Sequence, residues 1–243
     1  MKKIFEAGLG FLLMMIYLRS FDPKKIFENK TVAIVGPAAS AFDENNGEYI
    51  NSFDIVVRFN KAIVNWDSRK EKYIGNRTDI LIHSFLENNE TGGGKLDLKL
   101  FQEHGLKYLI NAKNNRLGYR RAFNFYKKYL NRKNVFILSK KYFLLGKRLF
   151  GSKYPTNGFW GLFMVFKGKP KKVFVTGFTF FKTPYADGYR DNLKDVKHNN
   201  AHIKESALHD PDLEFSIFLE LLKEFKGEID LDDQLEKIVN INK

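Results

Sequence analysis

Cysteine is absent from the 243-residue chain. Disulfides and thiolate metal sites are therefore excluded, and a reducing compartment, the cytoplasm, is the natural setting. A bilayer-spanning run is missing too. The apolar stretch from Ala7 to Leu18 in "MKKIFEAGLGFLLMMIYLRSFDPKK" falls well short of the roughly 20 residues a spanning helix needs. The "RSFDPKK" that follows offers no small-x-small cleavage site, so the run does not read as a secretory signal. Flanked by Lys2, Lys3, Arg19, Lys24 and Lys25, it reads as a core-packed helix or, preferably, as a short helix lying on a membrane surface. RGG repeats, zinc-finger spacings and a helix-turn-helix signature are likewise lacking. The formal charge of +13, from 41 Lys and Arg against 28 Asp and Glu, draws in polyanions, acidic membrane surfaces or anionic substrates without choosing among them, and no nucleic-acid partner is expected. No repeat, low-complexity tract or composition shift divides the chain. An N-terminal apolar and basic helix over 1–28 and one catalytic-sized domain over 29–243 is the expected organisation.

What is present is apolar and aromatic: 44% hydrophobic residues and 24 Phe supply a substantial core. Compact apolar runs, "KTVAIVG" (30–36), "FDIVVRFN" (53–60), "RTDILIHS" (77–84), "LKYLINAK" (106–113), "NVFILSK" (134–140) and "KKVFVTGF" (171–178), read as buried strands. Helical stretches are expected over 157–168 and from Pro211 to about Lys226, where Leu213, Ile217 and Leu221 recur at i, i+4 beside Phe218, Leu222 and Phe225. "NNETGGGKLDLK" (88–99) reads as a mobile surface loop. Strands of the buried type alternating with helices predict an α/β fold: a single Rossmann-like domain with a mostly parallel sheet flanked by helices. Ligands in such folds bind beyond the carboxyl ends of the strands. Attention therefore falls on "GPAAS", "FNK", "HS" and "GFTFF".

Each candidate has a chemical reading and a plain one. The turn from Gly36 to Ser40 has small residues and backbone amides suited to an anion, yet a packing turn needs the same residues; the G-x-G-x-x-G fingerprint is missing. Asn60 ends a strand and offers a donor and an acceptor to a nucleotide, or merely starts a turn. "YPTNG" opens a helix whose free amides at Thr156, Asn157 and Gly158 favour a phosphate, with the Tyr154 hydroxyl nearby, or Thr156 is a simple N-cap. His198, His202 and His209 crowd into one segment and bring proton-transfer chemistry. A metal pair at His198 and His202 lacks a third ligand. In "HDPDLE", Asp210 and Pro211 are helix-start residues, which leaves His209 and Glu214 to be explained.

Taken in order, "TVAIVG…NNGEYINSFDIVVRFNKA…YIGNRTDILIHS", "YPTNGFWGLFMVFKGKPKKVFVTGF" and "HDPDLE" resemble the large, small and very small sialylmotifs of glycosyltransferase family 29, the eukaryotic-type sialyltransferases. The matching residues of the large motif are Gly36, Gly47, Ile50, Asp54, Val56, Arg58, Asn60, Gly75, Arg77 and Thr78. Pro37 departs from the family's Asn, Thr156-Asn157 from its Ser-Thr, and the third motif is not legible, although "YRDN" (189–192) has suitable spacing and His198 or His202 suitable chemistry. The family disulfide cannot form, which suits a prokaryotic or viral relative.

The resemblance implies a GT-A-like variant of the Rossmann-like fold and a glycosyltransferase that moves sialic acid from CMP-sialic acid to a glycan or glycolipid hydroxyl. It implies inversion in one displacement, with the CMP-sugar as donor substrate and no cofactor or metal. His209 would be the general base and Glu214 would orient its segment. Tyr154, the amides at 156–158 and His198 or His202 would stabilise departing CMP, while Gly36, Ser40 and Asn60 would hold the nucleotide. CMP-Kdo is an alternative donor, and a non-catalytic basic protein binding anionic lipid or nucleic acid is the alternative from another class.

Overall fold

The computed structural model describes residues 2–88, 93–189 and 209–241. Among them lie eight strands in one sheet, every neighbouring pair parallel. The chain runs α1 (Lys2–Tyr17), β1 (Leu18–Phe21), α2 (Pro23–Phe27), β2 (Thr31–Val35), α3 (Gly47–Asn51), β3 (Ile55–Phe59), α4 (Glu71–Ile74) and β4 (Ile80–Ile82). It continues through α5 (Leu98–Glu103), β5 (Tyr108–Asn111), α6 (Arg116–Tyr129), β6 (Val135–Leu138), α7 (Lys140–Phe150), α8 (Asn157–Lys167) and β7 (Lys172–Thr176). We number the last described elements α9 (Pro211–Glu224), β8 (Glu228–Leu231) and α10 (Asp233–Asn240). The strand order is β1-β6-β5-β4-β3-β2-β7-β8, so the mostly parallel sheet flanked by helices is the architecture observed.

The apolar runs become strands because both faces are covered: Val32, Ile34, Val56, Val57, Ile80, Leu81, Val173 and Val175 are fully buried. Edge strands differ. Leu18-Arg19-Ser20-Phe21 and Glu228-Ile229-Asp230-Leu231 are only partly covered, carry no apolar run, and do not register as strands by hydropathy. Helix α8 is apolar all round, with Phe159 to Phe166 buried, as suits a helix covered on every side.

Three expectations are corrected. The N-terminal helix does not extend to residue 28; it stops at Tyr17, and β1 then pairs with β6, so residues 1–28 and 29–243 share one sheet. Helix α1 also packs against α6, where a Cβ on Gly10 would fall 2.6 Å from Lys127 Cα. Of the proposed loop at 88–99, residues 89–92 lie outside the described ones. The rest is not a surface loop: the Gly93 carbonyl lies 2.6 Å from His83 Nε2, Leu96 is buried, and α5 begins at Leu98.

The large-motif residues mostly hold this sheet together. Asp54 Oδ2 accepts from the Thr31 amide and its own amide donates to Thr31 Oγ1, both at 2.9 Å, tying β3 to β2. Arg58 is buried and donates to the carbonyls of Arg77, Ile74 and Gly75. Arg77 donates to the Asn51 and Phe53 carbonyls at 2.8 Å. A side chain on Gly47 would meet the Glu71 carbonyl oxygen at 1.9 Å.

Candidate active site

The sheet order reverses at β2: the chain steps from β2 through β3, β4, β5 and β6 on one side, then returns to place β7 on the other. Such a switch point opens a crevice at the carboxyl ends of the strands. A cavity of about 350 Å³ lies there, lined by residues following five strands, including Ala38, Asn60, Ser84, Lys113 and Phe178, and by the start of α8 with His209 and Glu214.

Asn60 is its hub. At φ 50° it sits in the left-handed region that Asn tolerates better than most residues. Its Oδ1 accepts from the Ser84 amide at 3.0 Å and from Asn157 Nδ2 at 3.1 Å, and its Nδ2 donates to the Tyr189 hydroxyl at 3.0 Å. One side chain thus fixes the end of β4, the start of α8 and an aromatic wall.

Thr156 caps α8, accepting from the Phe159 amide at 3.1 Å. Its own amide donates to Glu214 Oε1 at 2.6 Å, and its hydroxyl lies 2.9 Å from Glu214 Oε2. The amides of Asn157 and Gly158 have no partner among the described residues, as expected of first-turn donors, and both residues line the cavity. Glu214 is buried, and desolvation pushes its carboxyl up to about 8 despite the Thr156 hydrogen bonds.

His209 Nδ1 lies 2.6 Å from the Tyr154 carbonyl. A carbonyl only accepts, so Nδ1 carries the proton and a neutral ring keeps its lone pair at Nε2. His83 has the opposite fate. Its Nδ1 accepts from the Phe85 amide at 2.8 Å, its Nε2 donates to Gly93, and burial lowers its pKa to about 4, so it serves the fold as a neutral ring.

Not every expected site residue reaches the cavity. Gly36 does not line it: its amide donates to the Thr176 carbonyl at 2.8 Å, and a Cβ there would stand 2.2 Å from the Gly177 carbonyl oxygen. The amides of Ala38 and Ala39 are likewise spent on Gly177 and Pro184 carbonyls. Ser40 is buried, its hydroxyl has no partner among the described residues, and it is outside the lining. Backbone pairing thus consumes the amides of Gly36, Ala38 and Ala39, Gly36 allows close approach of β2 and β7, and Pro37 and Ala38 are the residues of this turn that line the cavity. Tyr154 contributes its carbonyl to His209, while its ring, partly exposed, faces Lys147 at 4.2 Å and Lys113 at 5.9 Å rather than the cavity. Asn60, Thr156, Asn157, Gly158, His209 and Glu214 converge. His198, His202 and residues 190–192 of "YRDN" lie outside the described residues.

Sequence reasoning missed Lys113 and Arg121, two cations among 41 with no motif to mark them. It noticed "GFTFF" only by position. Phe180 and Phe181 there both hold positive φ, 49° and 63°, an unfavourable state for bulky side chains that recurs at ligand sites. The turn is pinned by a 2.8 Å contact between the Thr179 and Thr183 hydroxyls. Asp232 braces its base, accepting from the Gly177 amide at 2.7 Å. Among the described residues no three His, Cys, Asp or Glu side chains cluster as metal ligands.

The fold is shared with known structures. The sialyltransferase CstII from Campylobacter jejuni in complex with CMP-3FNeuAc superposes at TM-score 0.52 with 16% identity, covering 86% of this chain and 83% of that one. A mammalian sialyltransferase in complex with Gal-beta-1-3GalNAc-ortho-nitrophenol gives 0.57 with 16% identity, over 94% of this chain and 78% of that one. Monofunctional alpha-2,3-sialyltransferase Cst-I from Campylobacter jejuni gives 0.55 with 14% identity, over 84% and 76%. A search of curated proteins by sequence returns no match. The sequence model described as glycosyltransferase family 29 (sialyltransferase) matches residues 14–226, most of the length, and this chain belongs to that family of glycosyltransferases.

Proposed function

We propose that the protein transfers sialic acid from CMP-sialic acid to a glycan or glycolipid hydroxyl, inverting the anomeric carbon in one displacement without a divalent metal. One observation carries the reading: His209 and the unpartnered amides of Asn157 and Gly158 line the same cavity. Its donor class agrees with the CMP-3FNeuAc bound by the CstII relative.

In this reaction the first turn of α8 receives the phosphate of CMP, whose negative charge the helix dipole favours. Asn60, held by three hydrogen bonds, positions the nucleotide side of the donor. His209 Nε2 removes the acceptor hydroxyl proton as that oxygen bonds to the anomeric carbon, and the bond to the phosphate oxygen breaks with its electron pair leaving on CMP. Glu214 is a positioning residue: it holds Thr156, and through it the start of α8. The leaving group is a monophosphate ester, and amide donors with nearby cations meet its charge, which supports metal independence.

We further propose a cytoplasmic enzyme held peripherally on the inner face of a membrane by α1. No described helix is long and apolar enough to cross a membrane. Along α1, Ile4, Phe5, Phe11, Leu12 and Met15 are each more than half exposed and form one stripe, with Lys2 and Lys3 at its start, a pattern suited to an anionic interface. Sedimentation with anionic vesicles, lost in a Phe5→Glu/Met15→Glu variant, tests this.

The central test is binding and turnover together. CMP should raise the melting temperature where other nucleoside monophosphates do not. Parallel assays with CMP-Neu5Ac and CMP-Kdo, with and without EDTA, read the donor sugar and the metal requirement. Salt-dependent DNA or lipid binding without any CMP effect would instead support a non-catalytic basic protein.

A further inference from the structure

Positive charge is not spread evenly along the chain. From His104 to Ala186 there is no Asp or Glu, yet nearly half of the 41 Lys and Arg fall there. The rest of the chain, holding all 28 acids, is net acidic. Such segregation marks a surface for an anionic partner. Some of these cations are neutralised locally: Lys107 pairs with Asp79, Lys128 with Glu87 and Lys167 with Glu224. The exposed cations of α7 are not. Lys140, Lys141 and Arg148 form no ion pair with a described carboxylate. The acids whose charge reaches this helix, Asp22 and Glu28 at Tyr142, are engaged elsewhere: Asp22 caps α2 and Glu28 pairs with Lys24.

Helix α7 also shows leucine to solvent. Its buried face, Phe143, Gly146 and Phe150, rests on Trp160 and Phe159 of α8. On the other side, Leu144, Arg148, Lys141, Leu145 and Leu149 follow one another around about 140° of the helix, at about 100° per residue. The three leucines are each about two-fifths exposed. Cations set inside an arc of leucines narrow the choice of partner. A nucleic acid offers phosphates to the cations but nothing to three leucines. A second copy docked by two-fold symmetry would set Lys141 and Arg148 against their own equivalents. An anionic bilayer takes both, the leucines at the acyl boundary and the cations at the phosphates.

Both ends of α7 reach the cavity rim. Lys140 Nζ lies 3.5 Å from the carbonyl of Asn114, the neighbour of cavity-lining Lys113. In the last turn, Lys147 Nζ stands 4.2 Å from the ring centre of Tyr154, whose carbonyl holds His209.

We propose that α7 is a second membrane contact, separate in its residues from the α1 stripe: it docks on an anionic bilayer through Lys141, Arg148, Leu144, Leu145 and Leu149, and brings the cavity rim close to that surface. The docking stands without the transferase reading. Its consequence, a preference for acceptor glycans carried on lipid, rests on that reading.

The test uses the full chain and vesicles of phosphatidylcholine with or without phosphatidylglycerol. The absence of cysteine lets Leu145→Cys carry a single environment-sensitive fluorophore. Its emission is expected to shift to the blue on phosphatidylglycerol vesicles only. The same probe at Glu236→Cys, on α10 beyond the opposite sheet edge, should stay unchanged. Partitioning onto those vesicles, read by sedimentation, should weaken about 10- to 30-fold in Lys141→Gln/Arg148→Gln, the worth of two cations at an anionic surface. In Leu145→Gln/Leu149→Gln it should weaken about 10-fold, with thermal melts confirming that both variants fold. A glycan displayed on lipid in the vesicle should be used about 10-fold better than the same glycan free in solution, through shared surface concentration. Lys141→Gln/Arg148→Gln should lose that advantage and keep its kcat/KM for the free glycan. A probe at position 145 that stays unshifted on vesicles the protein binds, or that shifts only with duplex DNA or with protein concentration, overturns the docking. A shifted probe on bound vesicles with no transfer to either acceptor supports the docking and overturns the transferase reading.

Discussion

His209 Nδ1 meets the carbonyl oxygen of Tyr154 at 2.6 Å across 55 positions of sequence, and because a carbonyl only accepts, this contact holds the ring proton on Nδ1. Replacing His209 with Ala removes the proposed base and leaves α8 capped by Thr156. Transfer should fall by about 10²- to 10⁴-fold, the usual worth of a positioned general base. The CMP-induced melting shift should persist. A variant that loses turnover and CMP binding together would mean that His209 holds the fold rather than the proton.

Glu214 gives the protein a pH-dependent stability. Its pKa rises from 4.5 in a free carboxyl to about 8 in the buried site, so the native state holds more protons than the unfolded state between those values. The resulting stability is complete below about 4.5 and drains away as pH rises towards 8, by at most about 1.4 kcal/mol per pH unit. Glu214→Gln keeps an acceptor for the Thr156 amide and a donor for its hydroxyl. Urea titrations at pH 5, 6.5 and 8 should show a flatter dependence for this variant, with equal or greater stability than wild type at pH 8. An unchanged slope would assign the pH dependence elsewhere.

Asn60→Ala should cost about 1–3 kcal/mol, because the Ser84 amide and the Asn157 side chain lose their shared acceptor. Asn60→Gly relieves the positive φ and should recover up to about 1 kcal/mol of that cost, but not CMP affinity. Thermal melts with and without CMP separate the two effects. Equal CMP affinity in wild type and both variants would remove Asn60 from the nucleotide site.

Gly36→Ala tests packing against ligand contact. The added methyl would collide with the Gly177 carbonyl at 2.2 Å, so the expected defect is overpacking of about 1–3 kcal/mol, read as a lower melting temperature. The folded fraction should bind CMP as wild type does. A specific loss of CMP affinity at unchanged stability would return Gly36 to the site.

Hydropathy revealed the interior strands because a parallel sheet covered on both faces demands continuous apolar runs. It passed over β1 and β8, whose exposed edges tolerate Arg19, Ser20, Glu228 and Asp230. The motif resemblance marked Asn60, Thr156 and His209, but could not separate residues that touch the cavity from those that only build it: buried Arg58 and half-exposed Arg77 both spend their donors on backbone carbonyls. Long-range partners were invisible as well. Nothing local in "HDPDLE" reveals that Glu214 reaches Thr156, 58 positions away, and lysines 113 and 147 look alike until folding sends one to a cavity wall and the other to a turn.

Strand β2 pairs with β7 through contacts such as Val32 with Val173. During synthesis its free edge therefore waits for most of the polypeptide to emerge before it is sealed, since no hairpin is at hand to cover it. Nascent chains that stall before β7 expose that edge to one another, and the vulnerability of this protein to aggregation belongs to the time of its making more than to its finished state.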